Sequence, residues 1–137
     1  MTDFAELADH LDRTDTVTIV TTRSSGERIA TPVWSVAVDG VPYVRSGYAS
    51  TPVWHLRALS GRPVGFTLTD GRRAERDPVA ALVDPRVEVA VQRVEADAPE
   101  QDAVDEAYRR KYGHTGYLGM MTGPDARART LRISPLD

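Results

Sequence analysis

The stretch Val17–Ser60 constrains the fold most, because three strand patterns and a helix follow one another there with only tight turns between them. Alternation of residue types predicts strands over Val17–Thr22, Arg28–Val38 and Val41–Gly47. Asp39-Gly40, between the second and third strands, is the strongest hairpin signal in the chain. These three strands are therefore expected to form an antiparallel meander.

Strand and helix patterns continue on both sides of this meander. A first helix is indicated by an apolar face at helical spacing, formed by Phe4, Leu7, Ala8 and Leu11. Downstream, the sequence predicts a helix from Thr51-Pro52, strands over Pro63–Asp70 and Arg86–Glu95, a long helix from Asp97 to Gly113, and a closing strand over Ala128–Ser134. Arg72–Pro85 fits either a continued strand or a loop with one helical turn, and the glycine-rich Gly116–Arg127 is predicted to be irregular.

The fold class predicted from this pattern is mainly β, with a few flanking helices. Five or six antiparallel strands in one small domain favour a barrel, because closure removes exposed strand edges. A chain of 137 residues is long enough to bury a core of its own, so we expect a single domain over residues 1–137.

Composition narrows the class of function. The net charge is −3 and no basic patch stands out, so nucleic acid is not an expected partner. The absence of cysteine excludes disulfides, thiol catalysis and cysteine-ligated metals. No apolar run approaches about 18 residues, and the first residues lack the pattern of a signal peptide, so we expect no membrane span and a cytoplasmic protein.

Neither acid–base catalysis nor a metal site is indicated by the three histidines. His10 and His55 are predicted on exposed helix faces, and His114 follows a helix end. None lies in a recognised nucleophile or zinc-binding motif, and the glycine-rich phosphate loops are absent as well. We therefore predict no catalytic protein residue and no metal site.

A candidate anion site remains where the third strand meets the following helix. Arg45, Ser46 and Gly47 end the strand, and Ser50-Thr51 opens the helix. Arginine binds phosphate in a bidentate manner, and a helix N-terminus favours negative charge. The alternative is a strand-end arginine beside an ordinary capped helix, and the sequence alone leaves both open.

Three aromatic or backbone features complete the candidate site. Pro32 gives no ladder donor, so Thr31–Trp34 is predicted at an edge, a bulge or a strand break, where backbone groups could meet a planar ring or no ligand at all. Trp34 and Trp54 would either stack on a ring or fill the core. The stripe of Tyr108, Lys111 and Tyr112 would either reach a partner subunit's site, or its two tyrosines would pack inward and Lys111 would lie in solvent.

Taken together, these motifs resemble the flavin-binding split-barrel superfamily, which includes pyridoxamine-phosphate-oxidase-like proteins and deazaflavin-dependent reductases. The resemblance rests on Thr31–Trp34, the Asp-Gly hairpin, Tyr43–Gly47 with the helix that follows, and the Tyr-x-x-Lys-Tyr-Gly ending at Gly113. It implies a six-stranded antiparallel split β-barrel with flanking helices, and a homodimer that holds its cofactor between subunits.

The resemblance further implies an oxidoreductase that binds FMN or a deazaflavin and transfers hydride to a small organic substrate. Its cofactor-binding residues would be Thr31, Pro32, Val33, Trp34, Arg45, Ser46, Gly47, Ser50, Thr51, Trp54, Arg57 and Lys111. One departure is the lack of a cation early in the second helix, where Arg57 is the first. This departure supports an alternative: a cofactor-free split-barrel dimer that binds another small molecule or a protein.

Overall fold

The computed structural model describes residues 3–46, 52–116 and 118–136, with only the backbone described at Asp3. In chain order the elements are α1 (Asp3–Arg13), β1 (Thr16–Thr22), β2 (Arg28–Val38), β3 (Val41–Arg45), α2 (Val53–Ala58), β4 (Val64–Thr67), α3 (Arg72–Arg76), α4 (Pro78–Ala81), β5 (Arg86–Val94), α5 (Glu100–Tyr112), α6 (Leu118–Thr122), α7 (Pro124–Ala128) and β6 (Thr130–Pro135).

The six strands close into an antiparallel barrel in the order β1-β2-β3-β6-β5-β4. The β2–β3 hairpin turns at Asp39 and Gly40, whose φ angles of 50° and 80° are those of a type I′ turn. The predicted barrel with flanking helices is therefore confirmed.

The barrel interior is filled by alternate residues of the strands, which point to the same face of the sheet. Val17 and Ile19 of β1 pack with Phe66, Leu131 and Ile133 in one buried cluster. The apolar face predicted for the first helix is correct, since Leu7 and Leu11 join this cluster fully buried. Trp54 and Ala58 of α2 pack into the same interior.

A second buried cluster lies outside the barrel, under α5. Val104, Tyr108 and Tyr112 of α5 pack against Val36 of β2 and Tyr43 of β3. The tyrosines of the predicted stripe therefore point inward, as one of the two sequence interpretations had it.

Two segments differ from the sequence predictions. Arg72–Pro85 contains the short helices α3 and α4, so the interpretation as a continued strand was wrong. Gly116–Arg127 is not irregular throughout, because α6 and α7 form within it. Pro124 occupies the first turn of α7, where the missing proline N–H is not needed, and the glycines had obscured this start signal.

Candidate functional site: a groove at the split between two strands

A groove opens on the barrel where β2 and β3 separate. The ladder between these strands ends at the pair Ser35 and Val44, so Trp34 and Arg45 flank the point of separation. The groove has a volume of about 500 Å³. It is lined by Thr16, Pro32, Val33, Trp34, Arg45, Ser46, Trp54, Glu75, Met120 and Met121.

Both tryptophans of the chain lie in this lining. The Trp34 indole stacks on the Tyr112 ring, with ring centroids 4.2 Å apart and planes at 1°. Trp34 is half-buried, so Tyr112 holds one face of the indole while the remainder borders the groove. Trp54 is 8% exposed and belongs to the barrel core as well as the groove. Core packing is therefore correct for Trp54, and the stacking of either indole on a ligand ring stays a prediction.

Two adjacent methionines, Met120 and Met121, also line the groove. Met121 is buried in the cluster under α5, whereas Met120 leaves 41% of its surface exposed. Both belong to α6, which the sequence did not predict. The adjacent Met120-Met121 pair was the available signal, because flexible thioether side chains suit irregular apolar binding surfaces.

Arg45 lies in the groove lining but its charge is used inside the protein. Its side chain is fully buried and forms an ion pair with Asp105, with Nη1 2.6 Å from Oδ1. Nε donates to Thr130 Oγ1 at 2.9 Å, Nη1 to the Met121 carbonyl at 2.7 Å, and Nη2 to Gln101 Oε1 at 2.7 Å. Burial lowers the pKa of Arg45, and the hydrogen bond to Asp105 opposes that shift.

The anion grip expected at Arg45 is therefore not available as predicted. Every guanidinium nitrogen already donates to a protein acceptor, and a buried carboxylate neutralises the charge. A phosphate would have to displace these partners, leaving the buried Asp105 carboxylate with Arg127, at 3.2 Å, as its remaining counter-ion. Of the other residues expected at this corner, Gly47, Ser50 and Thr51 lie outside the described residues.

Ser46 carries a buried hydroxyl without a partner, the one such buried side-chain atom among the described residues of the groove lining. The residue is 3% exposed, and its Oγ has no hydrogen-bond partner in the described part of the chain. A buried hydroxyl without a partner is costly, by about 1–3 kcal/mol, so such a group calls for an explanation.

The backbone of Thr31–Trp34 is largely paired within the protein. These residues pair with β1 in a continuous register, from Thr31 opposite Ile19 to Trp34 opposite Thr16. The Trp34 carbonyl accepts a hydrogen bond from the Tyr108 hydroxyl at 3.1 Å. Pro32, Val33 and Trp34 line the groove, whereas Thr31 is not part of the lining.

Arg57 and Lys111, the other two cationic residues predicted to bind the cofactor, do not line the groove. Arg57 Nε donates to Thr21 Oγ1 at 2.8 Å, and Arg57 is not part of the groove lining. Lys111 Nζ donates to the carbonyls of Leu11 and Ser35, at 2.8 and 2.6 Å. Burial lowers the pKa of Lys111 to about 8, which leaves it mostly charged at neutral pH. Lys111 therefore neither lies in solvent nor lines the groove.

The histidines were misjudged from the sequence. His10 and His55 are 8% and 5% exposed, so neither lies on an exposed helix face as predicted. His10 Nε2 lies 3.1 Å from the Thr69 carbonyl, whereas both ring nitrogens of His55 have no partner among the described residues. Neither ring lines the groove, and no group of three or more potential metal ligands converges elsewhere in the described ranges.

Sequence comparison assigns the family over most of the chain. Residues 7–133 match the family DUF2255, described as an uncharacterized protein conserved in bacteria. This chain belongs to DUF2255. No curated protein matches it in sequence. The family description names no ligand or reaction, so solved structures provide the other comparison.

Three solved structures share the fold of this DUF2255 chain at low sequence identity. The heme storage protein HutZ from Vibrio cholerae is 15% identical, with a TM-score of 0.62, over 100% of this chain and 92% of that one. The conserved hypothetical protein Rv2991 from Mycobacterium tuberculosis is 19% identical, with a TM-score of 0.58, and the match covers 94% of this chain and 76% of that one. ChuZ from Campylobacter jejuni is 14% identical, with a TM-score of 0.56, and the match covers 94% of this chain and 50% of that one. The split-barrel part of the sequence resemblance is thus confirmed.

The flavin part of that resemblance is wrong. The expected FMN or deazaflavin oxidoreductase is overturned by the likeness to HutZ, whose described role is heme storage. The groove gives a physical reason, because its guanidinium at Arg45 is committed to Asp105 and cannot grip a cofactor phosphate. Among the described residues, no helix is long and apolar enough to cross a membrane.

Proposed function

We propose that this DUF2255 protein binds a flat, largely apolar ring molecule in its groove, and that the ligand is a tetrapyrrole such as heme. The observation that carries the proposal is the lining itself. The groove is lined by two indoles, those of Trp34 in β2 and Trp54 in α2, and by two methionines of α6, Met120 and Met121. Aromatic and thioether side chains suit the face of a large apolar ring.

The groove residues fit the ring of heme better than they fit a nucleotide. Heme supplies a flat apolar ring, an iron centre and two carboxylates. The indole of Trp34 is held rigid by its stack on Tyr112, so it loses little conformational freedom when a ring packs against it. The thioethers of Met120 and Met121 are the described groove atoms that suit heme iron. The likeness of the whole fold to the heme storage protein HutZ supports the same choice of ligand.

A titration with ferric heme tests the proposal directly. Heme absorbance and tryptophan fluorescence should saturate together at one heme per chain, because both indoles border the groove. A metal-free porphyrin run in parallel separates recognition of the ring from ligation of the iron. No saturable binding of either ring below about 100 μM, weaker than about −5.5 kcal/mol, would contradict the proposal.

A matched pair of surface variants checks that binding occurs in the groove. Met120→Gln should weaken heme binding about fivefold to thirtyfold, since burial of an apolar side chain contributes about 1–2 kcal/mol. Val79→Gln is the control, because Val79 is 75% exposed on α4 and not part of the lining. Equal affinities for both variants and the wild type would place heme elsewhere on the surface.

We further propose that the protein is a homodimer. Val53, Leu56 and Leu59, in and just after α2, are exposed apolar side chains at successive intervals of three residues, with exposures of 63%, 59% and 39%. An apolar stripe of this kind suits a self-complementary interface. Analytical ultracentrifugation tests the proposal, and Leu56→Lys should shift the protein toward a monomer. A monomeric wild type at all accessible concentrations would refute it.

A further inference from the structure

The hydroxyl of Ser46, a residue of the groove lining, is buried and has no hydrogen-bond partner in the described part of the chain. Arg45, next in the chain, has every guanidinium nitrogen bonded to the protein. Thr16 is half-buried, and Glu75 is exposed at the groove surface, where water can satisfy it. The Ser46 hydroxyl contacts neither solvent nor a hydrogen-bond acceptor among the described residues, so its donor is unused within the protein.

The charges beside Ser46 favour an anionic partner. Arg45 and Arg127 share one buried carboxylate, that of Asp105, at 2.6 and 3.2 Å. Arg127 also pairs with Asp102, but the Asp102 side chain is 86% exposed, so solvent screens its charge. Two guanidinium groups thus face the one buried carboxylate of Asp105, whereas the carboxylates of Asp102 and Glu75 are exposed and screened by solvent.

We propose that the Ser46 hydroxyl donates a hydrogen bond to a carboxylate oxygen of the groove's ligand. The inference rests on the proposed function and narrows it: the ligand is an apolar ring that carries at least one carboxylate, and this end enters the groove beside Ser46. The guanidinium of Arg45 stays with Asp105 throughout and does not contact the ligand. A hydrogen bond to a charged acceptor distinguishes this ring from one with alkyl substituents alone.

The test compares two iron porphyrins that differ in their side groups. Ferric heme carries two carboxylates, whereas iron octaethylporphyrin carries only alkyl groups. The wild-type protein should bind ferric heme more tightly. Ser46→Ala should weaken heme binding about tenfold and leave the affinity for the alkyl ring unchanged within about twofold, as expected for one lost hydrogen bond to a charged group.

Thr18→Val is the matched control. Thr18 also has a buried hydroxyl without a described partner, but it does not line the groove. Thr18→Val should therefore leave the affinity for both rings unchanged. Neither variant should lower the melting temperature, because each removes a hydroxyl that lacks a partner, and this separates a binding role for Ser46 from a structural one.

The outcomes separate this inference from the proposed function. If neither ring binds the wild-type protein, the proposed function fails and the inference fails with it. If both rings bind equally well, or if Ser46→Ala weakens both rings equally or neither, only the inference about Ser46 is overturned. A selective loss of heme affinity in Ser46→Ala alone supports it.

Discussion

Arg45 and Asp105 form an ion pair inside the protein, with Nη1 2.6 Å from Oδ1 and side chains 0% and 7% exposed. The pair joins β3 to α5, and Arg45 also holds α6 through the Met121 carbonyl at 2.7 Å. The groove wall that carries Met120 and Met121 is thereby tied to the barrel. Arg45, which the sequence marked as a candidate anion-binding residue, therefore connects three elements, β3, α5 and α6.

Replacing Arg45 should lower the free energy of unfolding, because the residue has a structural role. Arg45→Met leaves the Asp105 carboxylate buried without its main partner, which typically costs about 3–5 kcal/mol. Urea denaturation followed by circular dichroism measures the loss. The double variant Arg45→Met/Asp105→Leu should recover much of that loss, because no unpaired charge remains. A single Arg45→Met variant as stable as the wild type would contradict a structural role.

Lys111 should matter for stability, unlike its neighbour Arg110. Lys111→Met removes two charge-assisted hydrogen bonds, to the Leu11 and Ser35 carbonyls, and should lower the free energy of unfolding by about 1–3 kcal/mol. Arg110→Met is the control on the exposed side of the same helix and should change stability by less than about 0.5 kcal/mol. Equal urea midpoints for the two variants would show that the Lys111 contacts contribute nothing.

His55 should make the protein sensitive to acid. Burial first, and then the charges of Arg129 and Arg93, lower the pKa of His55 from its ordinary value of 6.5. The unfolded chain therefore binds a proton at a higher pH than the folded one. The contribution of His55 to stability is complete above about pH 6.5 and is lost as the pH falls toward the lower folded-state pKa.

Melting temperatures measured between pH 8 and pH 5, a range of about 1.5 pH units on either side of 6.5, test this dependence. His55→Leu should flatten the fall in melting temperature, because the group that takes up the proton is gone. His114→Gln is the control, since His114 is exposed, and it should keep the wild-type slope. A wild-type slope in His55→Leu would assign the acid sensitivity to another group, such as His10, whose pKa burial also lowers.

Gly71 should not tolerate a side chain. A Cβ at this position would lie 2.7 Å from the Thr16 backbone carbon and oxygen, closer than real Cβ contacts allow. Gly71→Ala should therefore destabilise the protein by about 1–3 kcal/mol, as overpacking usually does. Gly119→Ala is the opposite case, because the space around Gly119 in α6 is open, and it should be neutral or stabilising. Thermal melts of both variants give the comparison.

The strands and the hairpin were predictable because their signals are local. Residue alternation along β1 and β2 and the Asp39-Gly40 turn follow from a period of two and from positive φ angles, which short segments encode. The inward face of α1 was likewise visible in the spacing of Leu7 and Leu11. The short helices α6 and α7 were missed because glycine and proline, usual loop residues, occur at their start and within them.

The sequence by itself determined most of the antiparallel strands and the tight turns between them, since backbone periodicity and turn chemistry act between near neighbours in the chain. Only the tertiary structure decided what the polar residues do. Whether Arg45 is free or paired depends on Asp105 and Gln101, and the environment of Lys111 depends on Leu11 and Ser35, all far away in sequence. The energy of a charge is set by burial and by the partners that the fold brings to it, and no local pattern records either.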